Sequence, residues 1–212
     1  MPRPKVAALI FDFDGLILDT ETLDYTVLSE QYQAHGATLR IADWVTGLGS
    51  HGAYDPYAEL ELFVGAGLNR DALVAAHRQR YRELCEQSDL LPGVRALLEA
   101  ARARDMPAAV ASSSNREWVE GWLARHAIRE FFQCVRTRDD VERVKPAPDL
   151  FLSAAECLEI TPEGCVVLED SLNGMRAARA AGMRCVGVPI ALLDGIELPP
   201  VSMRLRSLAD LT

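Results

Sequence analysis

The sequence predicts a doubly wound parallel α/β sheet interrupted after its first strand by a helical insertion. Three observations carry this. Short apolar runs that are not alternating suit strands covered on both faces. Segments with helical spacing lie between them. A long stretch after the first run contains helical patterns and no strand pattern.

The first run, Val6-Ala-Ala-Leu-Ile-Phe11, breaks into Asp12-Phe-Asp-Gly15. Ala108 to Ala111 breaks into Ser112-Ser-Ser-Asn115, and Cys165 to Leu168 breaks into Glu169-Asp-Ser171. Arg184 to Val188 is a further run, and Phe131 to Val135 a weaker strand. Gly93 to Arg104 has Val94, Leu97, Leu98 and Ala101 on one helical face, after Pro92. Pro148 to Leu158 and the Ala-rich Ser171 to Ala181, closed by Gly182, are two more helices. The insertion reads as helices over Glu21 to His35, Ile41 to Val45, Tyr57 to Val64 and Asp71 to Gln87, the last capped by Asn69. The domains are therefore a core of 1–15 and 90–212 and a helical cap of 16–89. An insertion at the carboxyl end of a strand overlies the edge where open α/β sheets bind ligands, so the cap is expected to act as a lid.

The composition bounds the function. The chain has 212 residues, 49% of them hydrophobic, and a net charge of −9. That field repels phosphate backbones, which argues against a nucleic-acid binder. No apolar stretch approaches the roughly 20 residues of a membrane span, and the first apolar run is too short for a signal-peptide core. The expected location is the cytoplasm, and the default state a monomer. The five cysteines are dispersed, with no C-x-x-C pair, and all are expected to be small buried side chains without a disulfide framework.

Strands of a parallel sheet end along one edge, so Asp12, Asp14, Ser112, Glu169 and Asp170 are candidates to converge, with Lys145 from Val144-Lys-Pro-Ala-Pro148 beside them. Each alone has an ordinary explanation as a turn, cap or solvated loop. Four carboxylates at one edge need a counter-charge. A divalent cation supplies it, and an oxygen-only set without His or Cys favours Mg²⁺ over zinc.

Asp12-Phe-Asp-Gly-Leu-Ile-Leu-Asp-Thr-Glu21 resembles the first motif of the haloacid dehalogenase superfamily, in its Mg²⁺-dependent phosphatase branch. Ser112 resembles the second motif, Lys145 the third, and Leu168-Glu-Asp-Ser-Leu-Asn-Gly-Met175 with its helix the fourth. The resemblance spans about Val6 to Val188 and implies a Rossmann-like core. It implies Asp12 as nucleophile, forming an aspartyl-phosphate, and Asp14 as general acid and base. Ser112, Ser113 and Lys145 would hold the phosphoryl group. Asp12, the backbone carbonyl of Asp14, and Asp170 would hold Mg²⁺, with Glu169 behind them toward Lys145 or a metal water. The Lys145–Pro146 bond is cis in relatives of this branch.

The implied partner is a small phosphorylated metabolite, with a sugar or polyol phosphate the best class for a compact cap. A β-phosphoglucomutase-type reaction is the alternative, and a phospho-ligand or partner-binding protein without activity the third. Against the mutase, the cap segment Asp43 to Tyr54 has no Arg or Lys, leaving His51, and Asp24 stands where mutase relatives carry His. Arg40 is the substitute cation nearest in sequence. The cap contains no Lys for Schiff-base chemistry, and Asp14 argues against the dehalogenase branch. Gly47, Gly49 and Gly52 suggest a tight turn facing the catalytic edge, while Trp118 and Trp122, four apart, read as one apolar stripe.

Overall fold

The computed structural model describes residues 5–50, 52 and 54–211. His51 lies outside the described residues. The sheet has six strands in the order β3-β2-β1-β4-β5-β6, every adjacent pair parallel. They are β1 (Ala8–Phe11), β2 (Ala108–Ala111), β3 (Cys134–Arg136), β4 (Cys165–Glu169), β5 (Arg184–Gly187) and β6 (Met203–Arg204). β1, β2 and β4 are buried along their whole length, which explains their unbroken apolar runs. Alternate side chains feed two separate cores. Leu9 and Phe11 pack on one face with Val110 and Leu168, and Ala8 and Ile10 on the other with Phe151 and Met175.

Between β1 and β2 run α1 (Thr20–Ala34), α2 (Ile41–Trp44), α3 (Ala58–Val64), α4 (Arg70–Cys85) and, on the sheet side, α5 (Val94–Arg102). α6 (Arg116–Arg125), α7 (Asp149–Cys157) and α8 (Leu172–Ala180) complete the core. Asn69 caps α4 as expected from the sequence, accepting from the Ala72 amide at 3.1 Å. Ser171 caps α8 in the same way, through Gly174 at 3.0 Å. Among the described residues no helix is long and apolar enough to cross a membrane.

Three departures from the sequence reading have plain causes. The β3 segment begins later than expected because Arg129–Phe131 closes into a 3₁₀ turn before it. β6 is two residues long and both are exposed, so it leaves no apolar signature. The expectation that no cysteines pair is corrected: Cys134 and Cys157 form a disulfide, with Cα atoms 6.4 Å apart. β3 and α7 pack side by side, and that proximity is tertiary, invisible in a spacing of 23 residues. Cys157 is also only half-buried, whereas Cys85, Cys165 and Cys185 are free and buried.

The helical insertion has its own apolar cluster, with Leu28, Tyr32, Trp44, Tyr57 and Leu60, and it is shared with Leu172, Ile190 and Leu193 of the core. Phe63, by contrast, is exposed on α3. Asn173, in the first turn of α8, ties the two parts together. Its buried Nδ2 donates to the Thr46 carbonyl at 3.1 Å and the Leu48 carbonyl at 2.9 Å. Asn173→Ala removes both bonds and strands two carbonyls at the junction, so it should lower stability by about 2 kcal/mol. Urea unfolding of the purified variant checks this, and a midpoint equal to wild type would show that the junction is not held there.

Candidate active site

The strand order reverses direction between β1 and β4, and the site sits at that point. Phe11 pairs with Leu168, so Asp12 leaves β1 beside Glu169 and Asp170 at the end of β4. The Asp12 amide donates to the Leu168 carbonyl at 3.0 Å, which continues the ladder and fixes its direction.

Lys145 is wholly buried, and its Nζ donates to Asp12 Oδ1 and, at 2.8 Å, to Glu169 Oε2. The ammonium also lies 4.8 Å above the Phe151 ring. It is carried on the segment before α7, where the Lys145–Pro146 bond is cis. The other Glu169 oxygen accepts from the Ser171 amide at 3.0 Å and its hydroxyl at 2.7 Å. Both oxygens of Glu169 are thus engaged. Asp170 is fully buried, and neither of its carboxylate oxygens has a hydrogen-bond partner among the described residues.

Asp12, Glu169 and Asp170 present oxygen atoms all within 4.8 Å of one another. Burial and the neighbouring Glu169 push the Asp12 carboxyl up from 3.8 to about 8, with Lys145 opposing them. Burial, Glu169 and Asp12 hold Asp170 well above the carboxylate range. Burial alone would lower the Lys145 ammonium, but Asp12 and Glu169 more than reverse that. One ammonium does not balance three buried carboxylates. A hard cation bound through oxygen fits this donor set, and the two unpartnered Asp170 oxygens are where it would be held.

Asp14 lies across the mouth of the site, held by four donors. Thr20 Oγ1 and Trp118 Nε1 reach Oδ1 at 3.0 and 2.9 Å. Ser112 and Ser114 reach Oδ2 at 3.2 and 2.6 Å. The structure therefore brings Asp12, Asp14, Ser112, Lys145, Glu169 and Asp170 together. Ser113 instead donates to the Gly49 carbonyl at 2.9 Å, joining the core to the helical insertion. The sequence reading missed Ser114 and Trp118. The serine run does not say which hydroxyl turns inward, and a Trp at helical spacing carries no sign of its hydrogen bond.

Two glycines make the close approaches possible. Gly15 has φ +78°, and a Cβ there would collide with the Asp170 carboxylate. Gly49 has φ +73°, and a Cβ there would collide with the Ser171 side chain. The glycine-containing turn does face the catalytic edge at this position.

Above Asp14 and Ser114 lies a cavity of about 320 Å³, walled by Leu48, Tyr54, Tyr57, His77, Arg78 and Tyr81. Glu21 and Asp24 also line it. Burial, with Asp14 next, pushes Glu21 well above its ordinary value. Asp24 accepts from Trp44 Nε1 at 3.1 Å and faces His77 Nε2 at 3.0 Å. Arg40 does not line the cavity: it is exposed and pairs with Asp43 and Glu59.

A model of haloacid dehalogenase-like hydrolases matches residues 9–188, from β1 through the end of β5. The chain belongs to that family. YhcW of Bacillus subtilis is 41% identical over 206 residues, covering 97% of this chain and 94% of that protein. Fructose-1-phosphate phosphatase YqaB of Escherichia coli is 36% identical over 185 residues, covering 87% and 97%. The crystal structure of a CbbY mutant from Rhodobacter sphaeroides, in complex with xylulose-(1,5)-bisphosphate, superposes with a TM-score of 0.76. It is 29% identical, covering 97% of this chain and 96% of that one.

The raised carboxyls give a signed prediction for metal-free protein. Between pH about 4 and about 8, folded Asp12 keeps a proton that the unfolded chain has released. Stability should therefore fall as pH rises through that window, and Mg²⁺, which binds the ionised form, should restore it most at the alkaline end. Thermal unfolding in EDTA and in Mg²⁺ from pH 5 to 8 tests this. Asp170→Asn should flatten the fall and remove most of the Mg²⁺ gain. A wild-type midpoint indifferent to Mg²⁺ at pH 8 would contradict the metal assignment.

Proposed function

We propose that this phosphatase hydrolyses a small phosphomonoester, a sugar or polyol phosphate, through an aspartyl-phosphate on Asp12, with Mg²⁺ as its cofactor. The observation that carries the reading is the buried Asp12–Lys145–Glu169 contact next to Asp170, whose oxygens are free. The cavity above it, about 320 Å³, suits a metabolite and not a polymer. The sugar phosphates named for YqaB and for the CbbY complex support the substrate class.

In this mechanism Asp12 attacks phosphorus while Lys145 keeps its carboxylate oriented and offsets phosphoryl charge. Asp12, Asp170 and the Asp14 backbone carbonyl would hold Mg²⁺, which supplies charge stabilisation to the transferring phosphoryl group. Glu169, with both oxygens engaged, stays behind them and fixes Lys145 and the start of α8. Ser112 and Ser113 are proposed to donate to phosphoryl oxygens, Ser112 by rotating its hydroxyl from Asp14 and Ser113 through its backbone amide, since its hydroxyl holds the Gly49 carbonyl. Asp14 gives its proton to the leaving oxygen, so the P–O bond breaks to an alcohol. It then takes a proton from the water that attacks the aspartyl-phosphate and releases phosphate.

A phosphosugar mutase is the second reading, and Arg78 is the observation in its favour. Arg78 lines the cavity from α4 and forms no ion pair among the described residues, so it is the cation available to a second phosphate. Phosphate release from sugar phosphates, polyol phosphates and nucleotides, with Mg²⁺ or EDTA, decides between the readings. Hydrolysis should require Mg²⁺ and fall at least a thousandfold in Asp12→Asn. Near-normal activity in that variant would overturn the nucleophile. Conversion of β-glucose 1-phosphate to glucose 6-phosphate without release would establish the mutase instead.

A further inference from the structure

Trp118 has a position that packing alone does not explain. Asn115 caps α6 by accepting from the Trp118 amide at 2.8 Å, which sets the indole at the helix's first turn. The ring then reaches across to Asp14, where Nε1 donates to Oδ1 at 2.9 Å. Tyr81 of α4 lies stacked on the indole, with centroids 5.4 Å apart and planes 15° apart. His77 stacks behind Tyr81 at 5.7 Å, and Trp122 meets Trp118 edge-on at 5.4 Å. The indole is braced by the helical insertion and by its own helix.

The two Asp14 oxygens are not equivalent in this arrangement. Ser112, Ser114 and Thr20 hydroxyls donate or accept according to how they rotate, whereas an indole N–H only donates. Thr20 Oγ1 is further constrained, since it accepts from the Gly15 amide at 3.2 Å while it donates to Oδ1. Oδ1 therefore keeps one partner, the indole, that has no acceptor role to offer a carboxylic O–H. Among the described residues Oδ2 faces only hydroxyls, Ser112, which itself accepts from the Ser114 amide at 3.0 Å, and Ser114, and both can turn over and accept.

We propose that Trp118 is the positioning residue of Asp14: its indole holds Oδ1 as a permanent acceptor and leaves Oδ2 as the oxygen that carries the proton. This rests on the reading of Asp14 as acid and base. In the first step Asp12 bonds to phosphorus, the bond to the leaving oxygen breaks, and the proton on Oδ2 passes to that oxygen. In the second, water bonds to phosphorus, the P–O bond of the Asp12 acyl phosphate breaks, and a water proton returns to Oδ2. Ser112 lies beside Oδ2 and is also the proposed phosphate contact, so the proton faces the bond that breaks.

The test is Trp118→Phe, which keeps a ring for Tyr81 to stack on and removes the N–H together with the pyrrole ring that carries it. kcat/KM is measured in Mg²⁺ for two substrates, an alkyl phosphomonoester and p-nitrophenyl phosphate. An alkoxide needs the proton to leave, whereas p-nitrophenolate does not. Trp118→Phe should lower the alkyl value about tenfold or more and change the aryl value by less than about twofold. Asp14→Ala should show the same selectivity with a larger loss. Equal losses on both substrates would mark Trp118 as merely structural, and no loss on either would show that its N–H is idle; each overturns the proposal. A wild-type protein that hydrolyses neither substrate overturns the phosphatase reading itself, and this assignment with it.

Discussion

The Lys145 ammonium, closed off from water between Asp12 and Glu169, is the interaction on which the rest of the site depends. It holds two carboxylates from adjacent strands together where their mutual repulsion would otherwise separate β1 from β4 or force protonation. It does so incompletely. Asp170 remains buried beside the pair with both oxygens unpartnered among the described residues, which leaves an oxygen donor set that fits a divalent cation. In a protein of net charge −9, Lys145 is a local positive charge at the site, set against the acidic field of the whole.

Topology places that point. The reversal of strand order between β1 and β4 opens a crevice at their carboxyl ends, and the helical segment inserted after β1 covers it. The cover is fastened by backbone contacts of one short turn. Asn173 holds the carbonyls of Thr46 and Leu48, Ser113 holds that of Gly49, and Gly49 approaches Ser171 too closely for a side chain. The same residues that begin α8 and the β2–α6 turn thus lie against both the acidic cluster and the cover. The aromatic stack from His77 through Tyr81 to Trp118 is a second connection, and it ends on Asp14.

Much of this was legible because parallel strands leave a strong signal: an apolar run that stops abruptly at a polar residue. Asp12, Ser112, Glu169 and Asp170 each stand at such a break, and the sheet edge brings them together. Lys145 was legible from its motif and not from its chemistry, since nothing in Val-Lys-Pro-Ala announces full burial. What stayed hidden depends on contacts far apart in sequence. Trp118 is 104 residues from Asp14, and its stripe with Trp122 looks like ordinary packing. Arg78 sits on an exposed helix whose sequence gives no sign of the cavity beneath it. The Cys134–Cys157 disulfide exists because β3 and α7 are neighbours, which spacing does not reveal.

The central claim is that Asp12, held by Lys145, becomes covalently phosphorylated during turnover. The most direct measurement is acid quenching of the full chain while it turns over its best substrate with Mg²⁺, followed by peptide mass spectrometry. The account predicts a peptide containing Asp12 heavier by one phosphoryl group, labile to hydroxylamine as an acyl phosphate is, and absent when EDTA replaces Mg²⁺. Rapid turnover with no such adduct, and with inversion instead of retention of configuration at a chirally labelled phosphorus, would show direct attack by water and contradict the account. Detection of the phosphoryl group on any residue other than Asp12 would likewise contradict it.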